Sequence, residues 1–263
     1  MPISVKDCFM IKGQASTLGY VSYLTKPVSD HNSTLIDTLL GAGAVLYVKT
    51  NVPQTMLTME SVNHVFGRSL NPHKLNLTAG GSSGGEGALV GLRGSILGVG
   101  TVIGGSIRAP SICCGAYGFN PTADRIPFGR QQFSARKDSP GIVPSAGPIA
   151  STAADLSLFF KVVIQSRPWT RDWSSLAALW REVPRQLLKV GLMLGDKDYP
   201  LAPPVHRALE SAATKLKTAG HHVTLCPTVP SIRRAAVIAG GFSSLDNEMT
   251  PFSHLENVED PIA

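Results

Sequence analysis

The most informative stretch of this 263-residue chain is Thr78-Ala-Gly-Gly-Ser-Ser-Gly-Gly-Glu-Gly87. Half of its residues are glycine, and two serines stand at its centre. Glycine at this density lets the backbone adopt positive φ and approach another group closely. The apolar segment that follows, Ala88-Leu-Val-Gly-Leu92, is predicted to be a helix, whose first turn offers N–H groups and the positive end of the helix dipole. The stretch is therefore predicted to be a loop that presents backbone donors and serine hydroxyls.

A second glycine turn follows further along the chain. The segment Ser95-Ile-Leu-Gly-Val-Gly-Thr101 is predicted to be a buried strand, and it leads into Gly104-Gly105 with Ser106 directly behind. A serine in a tight turn of two glycines is exposed, and the neighbouring N–H groups can form an oxyanion hole. This turn is a candidate position for a serine nucleophile.

Other interpretations of the glycine-rich stretch fit less well. A flexible Gly/Ser linker would not be flanked by an apolar strand and an apolar helix. A phosphate-binding P-loop requires a lysine, and none follows Gly84 or Gly85. The three-glycine dinucleotide fingerprint also fits poorly, and Gly105-Ser106-Ile107 differs from a Gly-x-Ser-x-Gly elbow. The remaining interpretation is a loop that carries a serine nucleophile but matches none of these motifs.

Four segments form a recognisable set: Pro2-Ile-Ser-Val-Lys-Asp7, Gly80-Gly-Ser-Ser-Gly-Gly-Glu-Gly-Ala-Leu89, Gly98-Val-Gly-Thr-Val-Ile-Gly-Gly-Ser-Ile-Arg108 and Cys114-Gly-Ala-Tyr-Gly-Phe-Asn-Pro-Thr122. Together they closely resemble the amidase signature family, and its acetamidase-like, general amidase branch is nearest. The first segment looks like that family's lysine motif. The resemblance runs from about Pro2 to about Val229 and is most specific between residues 78 and 122.

The resemblance implies a catalytic trio of a lysine, a serine next to a cis peptide bond and a nucleophilic serine. Matching motif to motif places these roles on Lys6, Ser82 and Ser106. A lysine can act as a base if burial lowers its pKa enough to leave it neutral. A glycine before Ser82 eases the sterics of a cis non-proline bond.

The mechanism implied by the resemblance is amide hydrolysis without a cofactor or a metal. Lys6 takes a proton from Ser82, which takes one from Ser106, and Ser106 forms an acyl-enzyme that water hydrolyses. The resemblance also implies which residues support the reaction. The oxyanion and the substrate would be bound by Ile103, Gly104 and Gly105 together with Ser106 itself. Ser83 and Arg108 would lie behind the catalytic side chains.

Three features depart from the family pattern. Its second motif usually has Asp where this chain has Val102, and the loss could leave Arg108 partly unpaired in a site of low dielectric constant. Met1 lies close before Lys6, whereas family members have a helical segment upstream. Family members also continue well beyond residue 263. We therefore expect one amidase signature domain over 1–263 that is a fragment truncated at both ends. The rival hypothesis is a catalytically impaired amidase-like protein that only binds.

Within that domain we expect an α/β fold, with a mixed β-sheet covered by helices on both faces. The catalytic motifs fall in 1–150, and 151–263 is predicted to hold helix and strand units and a frayed C-terminal end. Residues 120–148 are predicted to form a long surface loop, and periodicity is lost beyond Arg234. The predicted strands are 3–6, 44–48, 95–101, 189–194 and 222–225, and the predicted helices are 33–41, 88–92, 153–164 and 203–219.

The composition of the chain limits the kinds of binding partner and the location that we expect. The net charge is +6, but the excess is scattered apart from a loop with Arg125, Arg130, Arg136 and Lys137, so no nucleic-acid partner is expected. No apolar run reaches the length of a membrane span. Four cysteines without paired spacing favour a reducing, cytoplasmic location. The expected partner is a small-molecule amide; the oligomeric state stays open, a homodimer included.

A serine–histidine mechanism has less support. None of the seven histidines lies in the glycine-rich motifs, and the nearest in sequence are His64 and His73. Surface or loop roles suit both better than a catalytic role, and His221 and His222 are expected on opposite faces of a strand.

Overall fold

The computed structural model describes residues 1–134, 142–182, 186–196, 198–226, 231–243, 245, 255 and 261–263. The chain divides into two compact units, Met1–Trp180 with Asp246–Ala263, and Arg181–Leu245. All the sequence motifs named above lie in the first unit.

The first unit is built on a five-stranded mixed sheet with the order β2-β1-β5-β7-β6. Strand β1 runs parallel to β2 and β5, whereas β7 runs antiparallel to β5 and β6. The strands are β1 (Pro2–Lys6), β2 (Val45–Thr50), β5 (Leu97–Val102), β6 (Tyr117–Gly118) and β7 (Ser145–Ala150), with a separate hairpin of β3 (Val62–Asn63) and β4 (Gly67–Arg68).

Helices pack on both faces of this sheet, as predicted. On one face, Val5 and Val99 belong to a buried cluster with Leu35, Leu39 and Phe159 from two helices. On the other face, the alternate strand positions Ser4 and Gly98 lie against a helix that begins in the glycine-rich stretch. The helices with described bounds in this unit are α1 (Thr34–Gly41), α2 (Gly84–Gly91), α3 (Arg108–Cys114) and α4 (Ala153–Gln165).

Two predictions about the first unit were wrong in part. Helix α2 begins at Gly84, four residues before the predicted start, so most of its first turn is glycine. Residues 120–148 are not all surface loop, because β7 starts at Ser145 and is buried throughout. This strand, Ser-Ala-Gly-Pro-Ile-Ala, contains a glycine and a proline, which are rare inside strands, so the sequence pattern did not predict it. It lies between β5 and β6 in the sheet. The segment 135–141, also assigned to that loop, lies outside the described residues.

The second unit contains a strand–helix–strand arrangement. Strands β8 (Lys189–Leu192) and β9 (His222–Leu225) pair in parallel, and α5 (Pro203–Thr218) connects them. These three elements were predicted. Most of the C-terminal end that was predicted to be frayed lies outside the described residues. Beyond Arg234, where the sequence loses its periodicity and no element was predicted, the chain forms α6, which spans Ile232–Ser243. Its glycine pair, Gly240-Gly241, weakens the periodic signal that would have revealed it.

Candidate active site

Lys6 stands at the end of β1 with its side chain fully buried. Its Nζ donates a hydrogen bond to Ser82 Oγ at 2.7 Å and lies 3.5 Å from the carbonyl oxygen of Thr101. Burial lowers the pKa of Lys6 to about 8, although the neighbouring Cys8 and Glu86 side chains act in the opposite direction. The amine can therefore be neutral near physiological pH, which a base requires.

The turn before α2 holds Ser82 against this amine. The peptide bond Gly81–Ser82 is cis, the geometry that the resemblance implies. Gly81 packs so closely on the segment beside it that a Cβ would lie 2.6 Å from the carbonyl oxygen of Thr58. A side chain at position 81 would force this turn away, so glycine is required there by close approach.

Ser83 ties the two serine turns together. Its backbone N–H donates to the carbonyl oxygen of Ser106 at 3.2 Å, and its hydroxyl donates to the carbonyl oxygen of Thr101 at 3.2 Å. The Ser83 side chain sits over Gly100, where a Cβ would approach its Oγ to 2.8 Å. Ser83 is buried, and it links α2, the end of β5 and the candidate nucleophile turn.

Ser106 lies in the turn between β5 and α3. Gly105 before it has φ +142°, a conformation that disfavours other residues. The Ser106 hydroxyl makes no hydrogen bond to any residue the structure describes, and the same holds for the N–H groups of Ile103, Gly104, Gly105 and Ser106. Ile103 and Gly104 are exposed, but Gly105 and Ser106 are buried, so the sequence prediction that this serine is exposed was wrong. The turn combines a free hydroxyl and free donors below an exposed edge.

Glu86 is a buried ionisable residue of the site to which the sequence interpretation assigned no role. Its Oε2 accepts from Ser4 Oγ and its Oε1 accepts from Thr50 Oγ1, each at 2.6 Å. Burial raises the pKa of Glu86 to about 7. The sequence signal was present, since a glutamate within an otherwise small-residue stretch is unusual, but its neighbours Ser4 and Thr50 are distant in the chain.

The expectation for Val102 and Arg108 was wrong. Val102 is buried in an apolar cluster with Val90, Ile107 and Ile149. Arg108 is exposed instead of lying in a site of low dielectric constant. With its amide oxygen turned toward Arg108, Asn120 accepts from Nη1 at 2.6 Å. The guanidinium is thus solvated and paired, so the valine does not leave a buried cation without a partner.

His64 and His73, the histidines nearest in sequence to the glycine-rich motifs, make their ring hydrogen bonds outside the lysine–serine pair. His64 Nε2 contacts the carbonyl oxygen of Ile262 at 2.8 Å, and His73 Nε2 contacts that of Cys114 at 2.9 Å. Both rings are engaged with backbone groups, and neither bonds a catalytic candidate. Across the described ranges, no three His, Cys, Asp or Glu side chains are grouped to hold a metal ion.

Fold and site together define an α/β protein in which a buried lysine–serine pair adjoins a second serine in a glycine turn. A family model described as "Amidase" matches residues 1–248. The chain therefore belongs to the amidase family, the amidase signature enzymes that the sequence resembles.

Relatives and solved structures agree with this membership. The chain is 45% identical to an amidase of Gibberella moniliformis over 265 residues, covering 100% of this chain and 50% of that protein. It is 40% identical to an acetamidase of Emericella nidulans over 233 residues, covering 85% of this chain and 42% of the relative. A solved fatty acid amide hydrolase superposes with a TM-score of 0.92 at 34% identity, covering 100% of this chain and 46% of the other.

The chain spans about half the length of the relatives it matches. The helices formed by the described residues are all too short or too polar to cross a membrane.

Proposed function

We propose that this chain carries the catalytic residues of an enzyme that hydrolyses a carboxylic amide through an acyl-enzyme. The single observation that carries the proposal is the hydrogen bond from Lys6 Nζ to Ser82 Oγ, 2.7 Å long and fully buried, beside a serine whose hydroxyl is free. Family membership and relatives named amidase and acetamidase support the same reaction.

In the proposed reaction, Ser106 is the nucleophile and Lys6 is the base. Neutral Lys6 takes the proton of Ser82, and Ser82 takes the proton of Ser106 as its oxygen attacks the amide carbon. The tetrahedral oxyanion is held by the free N–H groups of Ile103, Gly104, Gly105 and Ser106. Proton return through Ser82 releases the amine, and water then hydrolyses the acyl group by the same route.

The roles of the supporting residues also belong to this proposal. Ser83 fixes the distance between the two turns through its backbone and side-chain bonds. Arg108, exposed and paired with Asn120, is proposed as an outer supporting residue without a direct contact to the serines. The substrate is a small-molecule amide, and the chemistry requires no cofactor.

Covalent labelling tests the nucleophile directly. A fluorophosphonate probe should label Ser106, and Ser106→Ala should abolish both labelling and any amide hydrolysis, because the acyl-enzyme needs that oxygen. Ser157→Ala, on an exposed position of α4, is the matched control and should label like the parent. Labelling that persists in Ser106→Ala would refute the assignment. A folded chain that neither labels nor hydrolyses amides would favour the rival, an amidase-like protein that binds without catalysis.

A further inference from the structure

Three strands of the sheet converge on the carboxylate of Glu86. Ser4 of β1 donates to Oε2 and Thr50 of β2 donates to Oε1, each at 2.6 Å. Gly98 of β5 lies so close that a Cβ there would come within 1.8 Å of Oε2. The glutamate side chain is 0% exposed. This cradle fits a carboxylate and leaves no room for movement.

The same strands place this carboxylate next to the Lys6 amine. Ser4 and Lys6 are two residues apart on β1, so their side chains point to the same face of the sheet. Thr50 is the partner of Lys6 in the parallel register of β1 and β2. The two hydroxyls that hold Glu86 therefore come from strand neighbours of Lys6 on that face.

An ammonium forms on Lys6 when it accepts the proton of Ser82, and this charge forms in a fully buried site. A buried charge is costly unless a counter-charge and hydrogen bonds compensate it. We propose that Glu86 is a positioning residue of the reaction: its carboxylate, fixed by Ser4 and Thr50, is the counter-charge that stabilises the ammonium formed on Lys6. The inference rests on the proposed function, since it assigns Lys6 the role of base.

The charges around both groups agree with this assignment. The Glu86 carboxylate raises the pKa of Lys6, and the Lys6 charge lowers that of Glu86, in each case against a larger effect of burial. The other ionisable group facing Lys6 is the Cys8 thiol, which burial keeps protonated by raising its pKa. Asp7, next in the chain, is engaged elsewhere: its carboxylate binds Lys49 at 3.2 Å and the backbone N–H groups of Thr17 and Leu18.

Nuclear magnetic resonance of the whole chain, with ¹³C at the lysine Cε, tests the coupling without requiring turnover. The Lys6 resonance, assigned by its loss in Lys6→Met, should show its own titration and a second inflection where Glu86 titrates. In Glu86→Gln, the second inflection should vanish and the Lys6 midpoint should fall by about one pH unit, since a positive charge has lost its partner. The control Glu210→Gln, exposed on α5, should change neither feature.

The pH dependence of Ser106 labelling by a fluorophosphonate connects the coupling to chemistry. Glu86→Gln should move the acid limb of the labelling rate to lower pH and reduce the plateau rate about tenfold, because a weaker base drives the proton transfer less. If Ser106 labels but the limb stays in place, the inference about Glu86 is wrong and the proposed function stands. If Lys6 shows the coupling but Ser106 never labels, the proposed function fails instead.

Circular dichroism shows whether the Glu86→Gln variant folds. If it does not fold, the proposal can still be tested in two other ways. In the unsubstituted chain, a Lys6 resonance without the second inflection already overturns the proposal. Thr50→Val removes one of the two hydroxyl donors while keeping the carboxylate, so the inflection assigned to Glu86 should move to higher pH. An inflection that stays in place there would show that Thr50 does not hold the carboxylate as proposed.

Discussion

At the scale of single residues, Val102 shows how a polar motif position can be converted to apolar packing. Its side chain fills a cluster with Val90, Ile107 and Ile149, while Arg108 remains in solvent beside Asn120. We therefore expect Val102→Asp to lower the free energy of unfolding by about 3 kcal/mol or more, because an unpaired carboxylate would replace a buried methyl pair. Urea unfolding at neutral pH measures the loss.

The pH dependence identifies the cause of this loss. Burial raises the pKa of a carboxyl in the folded state, so the ionic part of the deficit should be full above that raised pKa and shrink as the pH falls toward the unfolded-state value of Asp, below which both states are protonated. Val102→Thr keeps the shape and adds only a hydroxyl, so its cost should be about 1–2 kcal/mol without that pH dependence. A stable Val102→Asp with faster amide turnover would instead mean that the arginine can swing inward to pair with it.

At the scale of elements, the sequence predicted most of the fold around the site. Apolar runs with β-branched residues predicted β1, β2 and β5, and the face periodicity of α5 predicted that helix within two residues. The prediction failed where packing overrides local preference. Strand β7 contains Gly147 and Pro148 yet lies between β5 and β6, and α2 begins with glycines because Gly85 and Gly87 pack against the backbone of Asn51 and Pro110.

The site residues, like the elements, include some that the sequence predicted and some that it did not. Lys6 and Ser82 were predicted through motif resemblance, and the structure brings the two side chains together. Glu86 could not be assigned, because its role depends on Ser4 and Thr50, which only strand pairing brings near it. Residue spacing reports local geometry, whereas this cradle depends on the register between separate strands.

The close fit between α2 and β5 leads to a prediction at this scale. A Cβ on Gly98 would overlap Glu86 Oε2, so Gly98→Ala should lower the free energy of unfolding by about 3 kcal/mol, the upper range for overpacking. Combining it with Glu86→Ala should recover much of the loss, since the colliding atoms are removed. Thermal or urea unfolding of the two single variants and the double variant gives the coupling energy.

Gly41→Ala is the matched control for this cycle. Gly41 ends α1, nothing lies within 4 Å of a Cβ there, and its φ is not positive. The substitution should be neutral or slightly stabilising, since alanine favours the helix. Strictly additive effects of Gly98→Ala and Glu86→Ala would show that the glycine is not required by the carboxylate.

At the scale of the whole molecule, the site is maintained at a cost to stability. Two ionisable groups are fully buried, and burial lowers the pKa of Lys6 from 10.5 to about 8 and raises that of Glu86 from 4.5 to about 7. Replacing a buried charged pair by uncharged side chains of similar volume is often neutral or stabilising. We expect the double variant Lys6→Met with Glu86→Gln to be more stable than the parent chain near pH 7.5. Under the proposed function it should also lose any hydrolysis that needs Lys6 as its base.

The dependence of that gain on pH follows from linkage. Lys6 destabilises the fold fully below pH 8, and this effect fades as the pH rises toward 10.5, where the unfolded chain also loses the proton. Glu86 destabilises it fully above pH 7, and this effect fades as the pH falls toward 4.5. The stability gain of the double variant should thus be largest between pH 7 and 8 and decline on both sides. Urea unfolding of the parent and the double variant from pH 4.5 to 10.5 measures this profile. A gain that is constant with pH would mean that packing, and not the two charges, limits the stability of this site.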